Sequence, residues 1–171
     1  MVFFTQKECL EWCTQNRIDV PEQTDDDGAA GGLVIRVPVP GSNAFAVSKC
    51  LEEAICPWNT CLLWVTGSDV WRSSTNLHLY YALRRSYGDH RLLSQAPGHM
   101  FSNYEGRDLI SFIHLAILFG WDAYLLSDLG YGKGFLSHDS WFHIWRSNSA
   151  ELKEIGSAFE GLSGMVDHRR S

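Results

Sequence analysis

The chain has no apolar run that approaches the roughly 20 residues needed to span a bilayer. Its longest candidate, from Leu109 to Trp121, is interrupted by Ser111 and His114. The first twelve residues, MVFFTQKECLEW, also lack the basic stretch and the long apolar core of a secretory signal peptide. These absences predict a cytoplasmic protein with no membrane partner.

An excess of positive charge is also missing. The chain has 14 Lys and Arg against 20 Asp and Glu, which gives a formal net charge of -6. A protein that binds nucleic acid needs Lys and Arg concentrated on one face, so we expect no nucleic-acid partner. An acidic surface is suited to a soluble protein and to a basic partner protein.

The number of cysteines is odd, which argues against a complete disulfide framework. We therefore predict reduced thiols in a reducing compartment. Two of them stand four residues apart in a predicted helix, but no second pair completes a metal site, so core packing is the better interpretation. The five are Cys9, Cys13, Cys50, Cys56 and Cys61.

No complete catalytic or cofactor motif is present. The glycine-rich run at 130–134 stands between two predicted strands and does not lead into Lys-Ser or Lys-Thr. It therefore predicts a hairpin turn and not a phosphate-binding loop. A G-x-S-x-G nucleophile turn is missing as well. We expect no cofactor and no bound metal.

What the sequence does contain is enough apolar material for one core. Hydrophobic residues make up 45% of the 171 positions, and the aromatics include seven Trp, six Tyr and nine Phe. A chain of this length suits a single domain over 1–171. Within it, the acidic, glycine-rich stretch near 21–32 predicts a solvated loop, and 161–171 predicts a polar tail.

Hydrophobic periodicity predicts helices that alternate with strands. Predicted helices cover about 5–17, 43–55, 75–87, 104–119, 139–145 and 150–159, and predicted strands cover 33–39, 61–66, 121–126 and 135–137. The strand at 61–66 is apolar at both odd and even positions, which predicts burial of both of its faces. The order indicates an α/β or α+β fold, with a small mixed sheet of about four strands packed against helices.

One stretch, from Trp71 to His99, concentrates His, Arg and Tyr around a predicted helix and the loop that follows it. His78, Tyr81 and Arg85 share one face of that helix, which indicates either a solvated helix surface or an interaction surface. Trp, Tyr and Arg are frequent anchors of protein interfaces. The predicted partner-binding residues are Trp71, Arg72, His78, Tyr81, Arg85, Tyr87 and His90.

The same stretch has a catalytic alternative, in which His78, Asp89, His90 and His99 surround a cleft, with or without a metal ion. Adjacent side chains such as Asp89 and His90 diverge, however, and the histidine spacings of twelve and nine residues match no short metal motif. In a structural interpretation, Asp89 pairs with an arginine, and His90 and Arg91 interact with the negative end of the helix dipole.

Between Leu63 and Trp145 the sequence resembles a group of small bacterial proteins of uncharacterised activity. The matching motifs are W-V-T at 64–66, N-L-H-L-Y-Y at 76–81, L-R at 83–84, S-Y-G-D-H-R-L-L at 86–93, A-P-G-H at 96–99, G-W at 120–121 and S-H-D at 137–139. In size and character such proteins are similar to the immunity proteins that accompany bacterial toxins. The resemblance implies no catalytic residue.

Three functions follow as hypotheses. The first is a non-enzymatic inhibitor that binds another protein, in the manner of an immunity protein that neutralises a toxin. The second is a hydrolase that uses His78, Asp89, His90 and His99. The third is an intracellular adaptor subunit that folds against a partner.

Overall fold

The computed structural model describes residues 1–20, 32–36, 43–68 and 77–163. The strands are β1 (Val2–Phe4), β2 (Leu33–Arg36), β3 (Thr60–Gly67), β4 (Gly98–Ser102), β5 (Asp122–Ser127), β6 (Gly132–Ser137) and β7 (Trp141–Arg146). The α-helices are α1 (Gln6–Gln15), α2 (Ala44–Ile55), α3 (Leu77–Ser86), α4 (Gly106–Phe119) and α5 (Ser149–Ser163). A 3₁₀ turn, Asn103–Glu105, leads into α4.

All seven strands belong to one sheet in the order β1-β4-β3-β5-β6-β7-β2. Every neighbouring pair is antiparallel. The fold is therefore α+β, and the prediction of helices packed on a sheet is confirmed. The prediction of a mixed sheet of about four strands is wrong, because the described residues form seven strands and no parallel pair.

Two of the missed strands lie at one edge of the sheet. β1 is only three residues long, which is too short to show an alternating pattern. β4 begins at the glycine of a Pro-Gly pair, in a segment for which the sequence predicts no strand. Gly98 opens β4 because a Cβ there would lie 2.3 Å from Sγ of Cys9 and 2.8 Å from Cβ of Phe4. Close packing between α1, β1 and β4 thus requires glycine at this position.

The third missed strand, β7, replaces the helix that was predicted for 139–145. Ser137 pairs with Trp141, so the three intervening residues form a hairpin turn, in which Ser140 has a φ of 65°. Successive side chains of β7 point to opposite faces of the sheet. Side chains on both faces contact a core, so apolar residues occur at both odd and even positions and the strand lacks an alternating signature.

The sheet has a hydrophobic core on each face. The larger core contains side chains of α2, α4 and α5 packed on one face, and the smaller core contains Cys9, Trp12 and Cys13 of α1 packed on the other. In β3, Leu63 points into the larger core while Leu62 points into the smaller one, and both are fully buried. The predicted burial of both faces of this strand is confirmed.

Several local features follow from residues that are close together in the sequence. Oγ1 of Thr5 accepts a hydrogen bond from the Glu8 amide at 3.3 Å, and Oε2 of Glu8 accepts one from the Thr5 amide at 2.7 Å. This reciprocal pair begins α1. Gly88 and Gly120 follow α3 and α4 with φ values of 84° and 60°, a left-handed conformation that glycine adopts at low cost. All five cysteines are free thiols.

Some predictions concern residues outside the described ranges. These are most of the acidic stretch, 21–31, the end of the predicted strand, 37–39, the candidates Trp71 and Arg72, and the tail from 164 onward. Of the helices that are described, none has both the length and the apolar character that crossing a membrane requires.

Candidate interaction surface

Helix α3 has one side buried in the protein and one side exposed to solvent. Tyr80 and Arg84, four residues apart, lie on the buried side with no accessible surface. Exposed side chains on the opposite side include His78, Leu79 and Arg85. The helix thus joins an internal polar network to an external surface.

The network connects α3 to β4 and β3 through His99, which is fully buried. Its Nε2 lies 2.8 Å from the Tyr80 hydroxyl, and its Nδ1 lies 3.2 Å from the carbonyl oxygen of Leu63. A carbonyl only accepts, so Nδ1 carries the proton and Nε2 accepts from Tyr80. Burial, with a contribution from the Arg84 charge, lowers the pKa of His99 to about 3. The imidazole is therefore neutral at physiological pH.

Arg84 is a buried cation whose donors are satisfied inside the protein. Its Nη1 donates to the Tyr80 hydroxyl at 2.8 Å, and its Nη2 donates to the carbonyl oxygen of Ala96 at 2.9 Å. Its Nε lies 3.3 Å from Oδ1 of Asp89, and its guanidinium carbon lies 4.3 Å from the ring centroid of Phe3. These contacts with a carboxylate, a carbonyl, a hydroxyl and an aromatic ring offset the free-energy cost of burying the charge.

Asp89 ties the loop after α3 to the edge strand β1 through Arg91. Its carboxylate accepts from the Arg91 amide at 2.7 Å and from the Arg91 side chain at 2.9 Å. Nη2 of Arg91 also donates to the carbonyl oxygen of Phe3 at 2.9 Å. Burial raises the pKa of Asp89, but the bonds to Arg91 and the charges of both arginines outweigh this and hold the pKa at about 2. The predicted pairing of Asp89 with an arginine is confirmed, and it involves two.

The exposed side of α3 and its loop forms what we call the α3 surface, defined by the solvent-exposed side chains of His78, Leu79, Arg85, Tyr87, His90 and Leu92. Leu79 is 57% exposed and Leu92 is 53% exposed. Exposed apolar side chains next to an arginine and a tyrosine are a composition found in protein interfaces.

Four of the predicted partner-binding residues, His78, Arg85, Tyr87 and His90, belong to this surface. Tyr81 does not, because it is partly buried and its hydroxyl accepts from the amide of Leu93 at 3.1 Å. Tyr81 therefore holds the loop in place from beneath.

The structure does not bring the four predicted catalytic residues together. Both ring nitrogens of His99 are engaged inside the protein, and Asp89 is engaged by two arginines. His78 lies in the first turn of α3, whereas His90 follows its C-terminal end, which places them roughly 15 Å apart along the axis. Across the part of the chain that is described, no three His, Cys, Asp or Glu side chains are placed to hold a metal ion together.

The sequence does not indicate a histidine–carboxylate pair that lies where β5 begins and β6 ends. Nδ1 of His138 lies 2.8 Å from Oδ1 of Asp122, and the His138 amide donates to the same oxygen at 2.8 Å. Gly67 lies against this carboxylate, since a Cβ there would be 2.6 Å from Oδ2. These residues are far apart in sequence, so no local pattern predicts the pair.

A shallow cleft of about 480 Å³ adjoins the loop after α3. Its lining includes Leu93 and Ser94 from the loop and Thr66 and Gly67 from the end of β3. The described residues that line it are uncharged.

None of the protein-family models, curated proteins or solved structures compared with this chain matches it. The resemblance described from the sequence stays a prediction.

Proposed function

We propose that this chain is a non-enzymatic inhibitor that binds another protein through the α3 surface, as an immunity protein binds its toxin. One observation carries the proposal. The α3 surface displays exposed leucines, a tyrosine, an arginine and two histidines on a backbone that the buried Tyr80–Arg84–Asp89 network holds in place.

Such an arrangement favours binding because little order has to be acquired when the partner arrives. Immobilising a flexible loop on association costs free energy that reduces affinity. Here the loop is already fastened by Arg91 to Phe3 and by Tyr81 to Leu93. Tyr and Arg side chains on a fastened surface are the residue types that dominate binding energy in protein interfaces.

The hydrolase alternative has less support from the same residues. It requires His78, Asp89, His90 and His99 to face one cleft. Asp89 and His99 belong to the buried network, whereas His78 and His90 are exposed at opposite ends of α3. A general base must be within hydrogen-bond reach of its substrate. A fully buried imidazole with both nitrogens engaged does not meet that condition.

Co-expression with the protein encoded beside this chain tests the proposal. We expect that protein to bind and to lose its toxicity when this chain is present. Replacement of Arg85 and Tyr87 by alanine should weaken binding by about tenfold or more, because each removes an exposed anchor from the surface.

The matched control also replaces one exposed cation and one exposed tyrosine by alanine, but away from α3. These residues are Lys49 and Tyr131, and Tyr131 is 61% exposed. The control should bind like the unmodified chain. The proposal fails if the neighbouring protein neither binds nor becomes harmless, or if the α3 double variant binds as tightly as the control.

A further inference from the structure

The acidic character of the chain does not extend to the α3 surface. Between residues 77 and 98 the only carboxylate is Asp89, whose side chain is 7% exposed and is engaged by Arg84 and Arg91. Arg85, His78 and His90 are exposed, and no hydrogen bond or ion pair joins their side chains to any described residue. Among the described residues of this surface, the charge offered to a partner is therefore the Arg85 guanidinium, and His78 and His90 add ring N–H donors.

The carboxylates that border the surface are each engaged locally. Glu8 caps α1 through Thr5, and Glu105 accepts from the Met1 amino group and from the Ser102 amide. Asp108 forms a hydrogen bond with the hydroxyl of Tyr87; burial, followed by this bond, raises the pKa of Tyr87 to about 12. These contacts direct the bordering carboxylates toward neighbouring groups of the chain itself.

Other described carboxylates belong to different elements. Glu52 and Glu53 lie on α2, and Glu151, Glu154 and Glu160 lie on α5. A net charge of -6 therefore describes the molecule as a whole and not the surface proposed for binding.

We infer that the α3 surface binds an acidic protein segment that also carries apolar side chains. Its carboxylates would pair with Arg85 and accept hydrogen bonds from His78 and His90, while its apolar groups would cover Leu79 and Leu92. The inference rests on the proposed function and specifies the partner's chemistry. It reverses the expectation from net charge alone, which favoured a basic partner, because complementarity acts between the surfaces that meet.

A peptide titration of the ¹⁵N-labelled full-length chain tests this. The probe is a 14-residue peptide of Glu, Asp, Leu and Phe, and its counterpart carries Lys at every acidic position. The acidic peptide should shift the amide signals of α3 and its loop, with a Kd that rises as salt is added. The basic peptide should leave these signals in place.

Charge reversal distinguishes this interaction from general attraction. Arg85→Glu should weaken binding of the acidic peptide by about fivefold, the scale expected for an exposed charge pair. Lys49→Glu makes the same change in net charge on α2, where Lys49 has 61% of its side chain exposed, and should change the Kd by less than about twofold. Equal effects of the two substitutions, or binding of the basic peptide at α3, would overturn the inference.

The two proposals fail in different ways. If the neighbouring protein binds through α3 but binds more tightly to the Arg85→Glu variant, the partner is basic there, so the inference is wrong and the proposed function stands. If the neighbouring protein does not bind at all, the proposed function fails whatever the peptides show.

Discussion

The Tyr80 hydroxyl lies 2.8 Å from Nε2 of His99 and accepts a hydrogen bond from Arg84 on its other side. One hydroxyl thus serves as donor and acceptor between a buried cation and a buried neutral imidazole. Because the hydroxyl donates its proton to His99, it can only accept from Arg84. Each hydrogen bond between these three residues therefore has one possible direction. The arrangement fastens α3 to the centre of the sheet.

Replacing Tyr80 by phenylalanine should destabilise the protein by about 1–3 kcal/mol. The ring is retained, but Nε2 of His99 loses its donor and Nη1 of Arg84 loses an acceptor, both in the interior. Chemical denaturation measures the change in the free energy of unfolding. Tyr131→Phe serves as the control, since Tyr131 is 61% exposed and its loss of a hydroxyl should cost less than about 0.5 kcal/mol.

Replacing Asp89 by alanine should cost more, about 3–5 kcal/mol, because it leaves the charge of Arg84 buried without its carboxylate. Arg91 would also lose the anchor that holds it against Phe3, so amide hydrogen exchange in β1 should accelerate. Asp139→Ala is the comparison, because that carboxylate has 65% of its side chain exposed. A loss of stability no greater than that of the control would contradict the assigned role of Asp89.

The buried histidines should make the protein less stable as the pH falls from 7 to 5. Burial lowers the pKa of His99 to about 3 and also lowers the pKa of His143 and His114, so below about pH 6.5 the unfolded chain binds protons that the folded chain does not. Each such histidine contributes a slope of up to about 1.4 kcal/mol per pH unit.

His99→Gln should reduce that slope, because one fewer histidine takes up a proton on unfolding. Denaturation curves at several pH values across this window provide the measurement. Identical slopes for His99→Gln and the unmodified chain would show that His99 does not resist protonation.

Replacing Gly67 by alanine should destabilise the protein by about 1–3 kcal/mol, through the region where β3 ends and β5 begins. The new Cβ would lie 2.6 Å from Oδ2 of Asp122 and would displace that carboxylate from His138. The ¹⁵N signals of the His138 ring report the displacement directly. In Gly106→Ala the nearest atom to the new Cβ is 3.8 Å away, so stability should stay within about 1 kcal/mol.

The buried side of α3 shows why the sequence predicted this site only in part. Tyr80-Tyr81 and Arg84-Arg85 are adjacent duplicates, so a helical pattern places one Tyr–Arg pair inward and the other outward without deciding which. Sequence reasoning grouped Tyr81 with Arg85 on a polar face, whereas Tyr80 and Arg84 form the buried network. The partner that selects between the pairs is His99, in a strand that the sequence did not reveal.

β7 shows the same limit for secondary structure. Trp141, His143 and Trp145 face one core while Phe142 and Ile144 face the other. A strand with apolar residues on both faces has no alternating apolar–polar period, so its few residues are equally compatible with a short helix.

By itself, the sequence determined the features that depend on neighbours along the chain. The Thr5–Glu8 cap, the glycines that end α3 and α4, the apolar central strand β3 and the core of α4 all follow from contacts within a few residues. Three other features depend on groups that are far apart in sequence. They are the strand order, the neutral state of His99 and the choice of which side of α3 is buried. Only the tertiary structure decided these, because burial and long-range hydrogen bonding are properties of the folded assembly and not of any local segment.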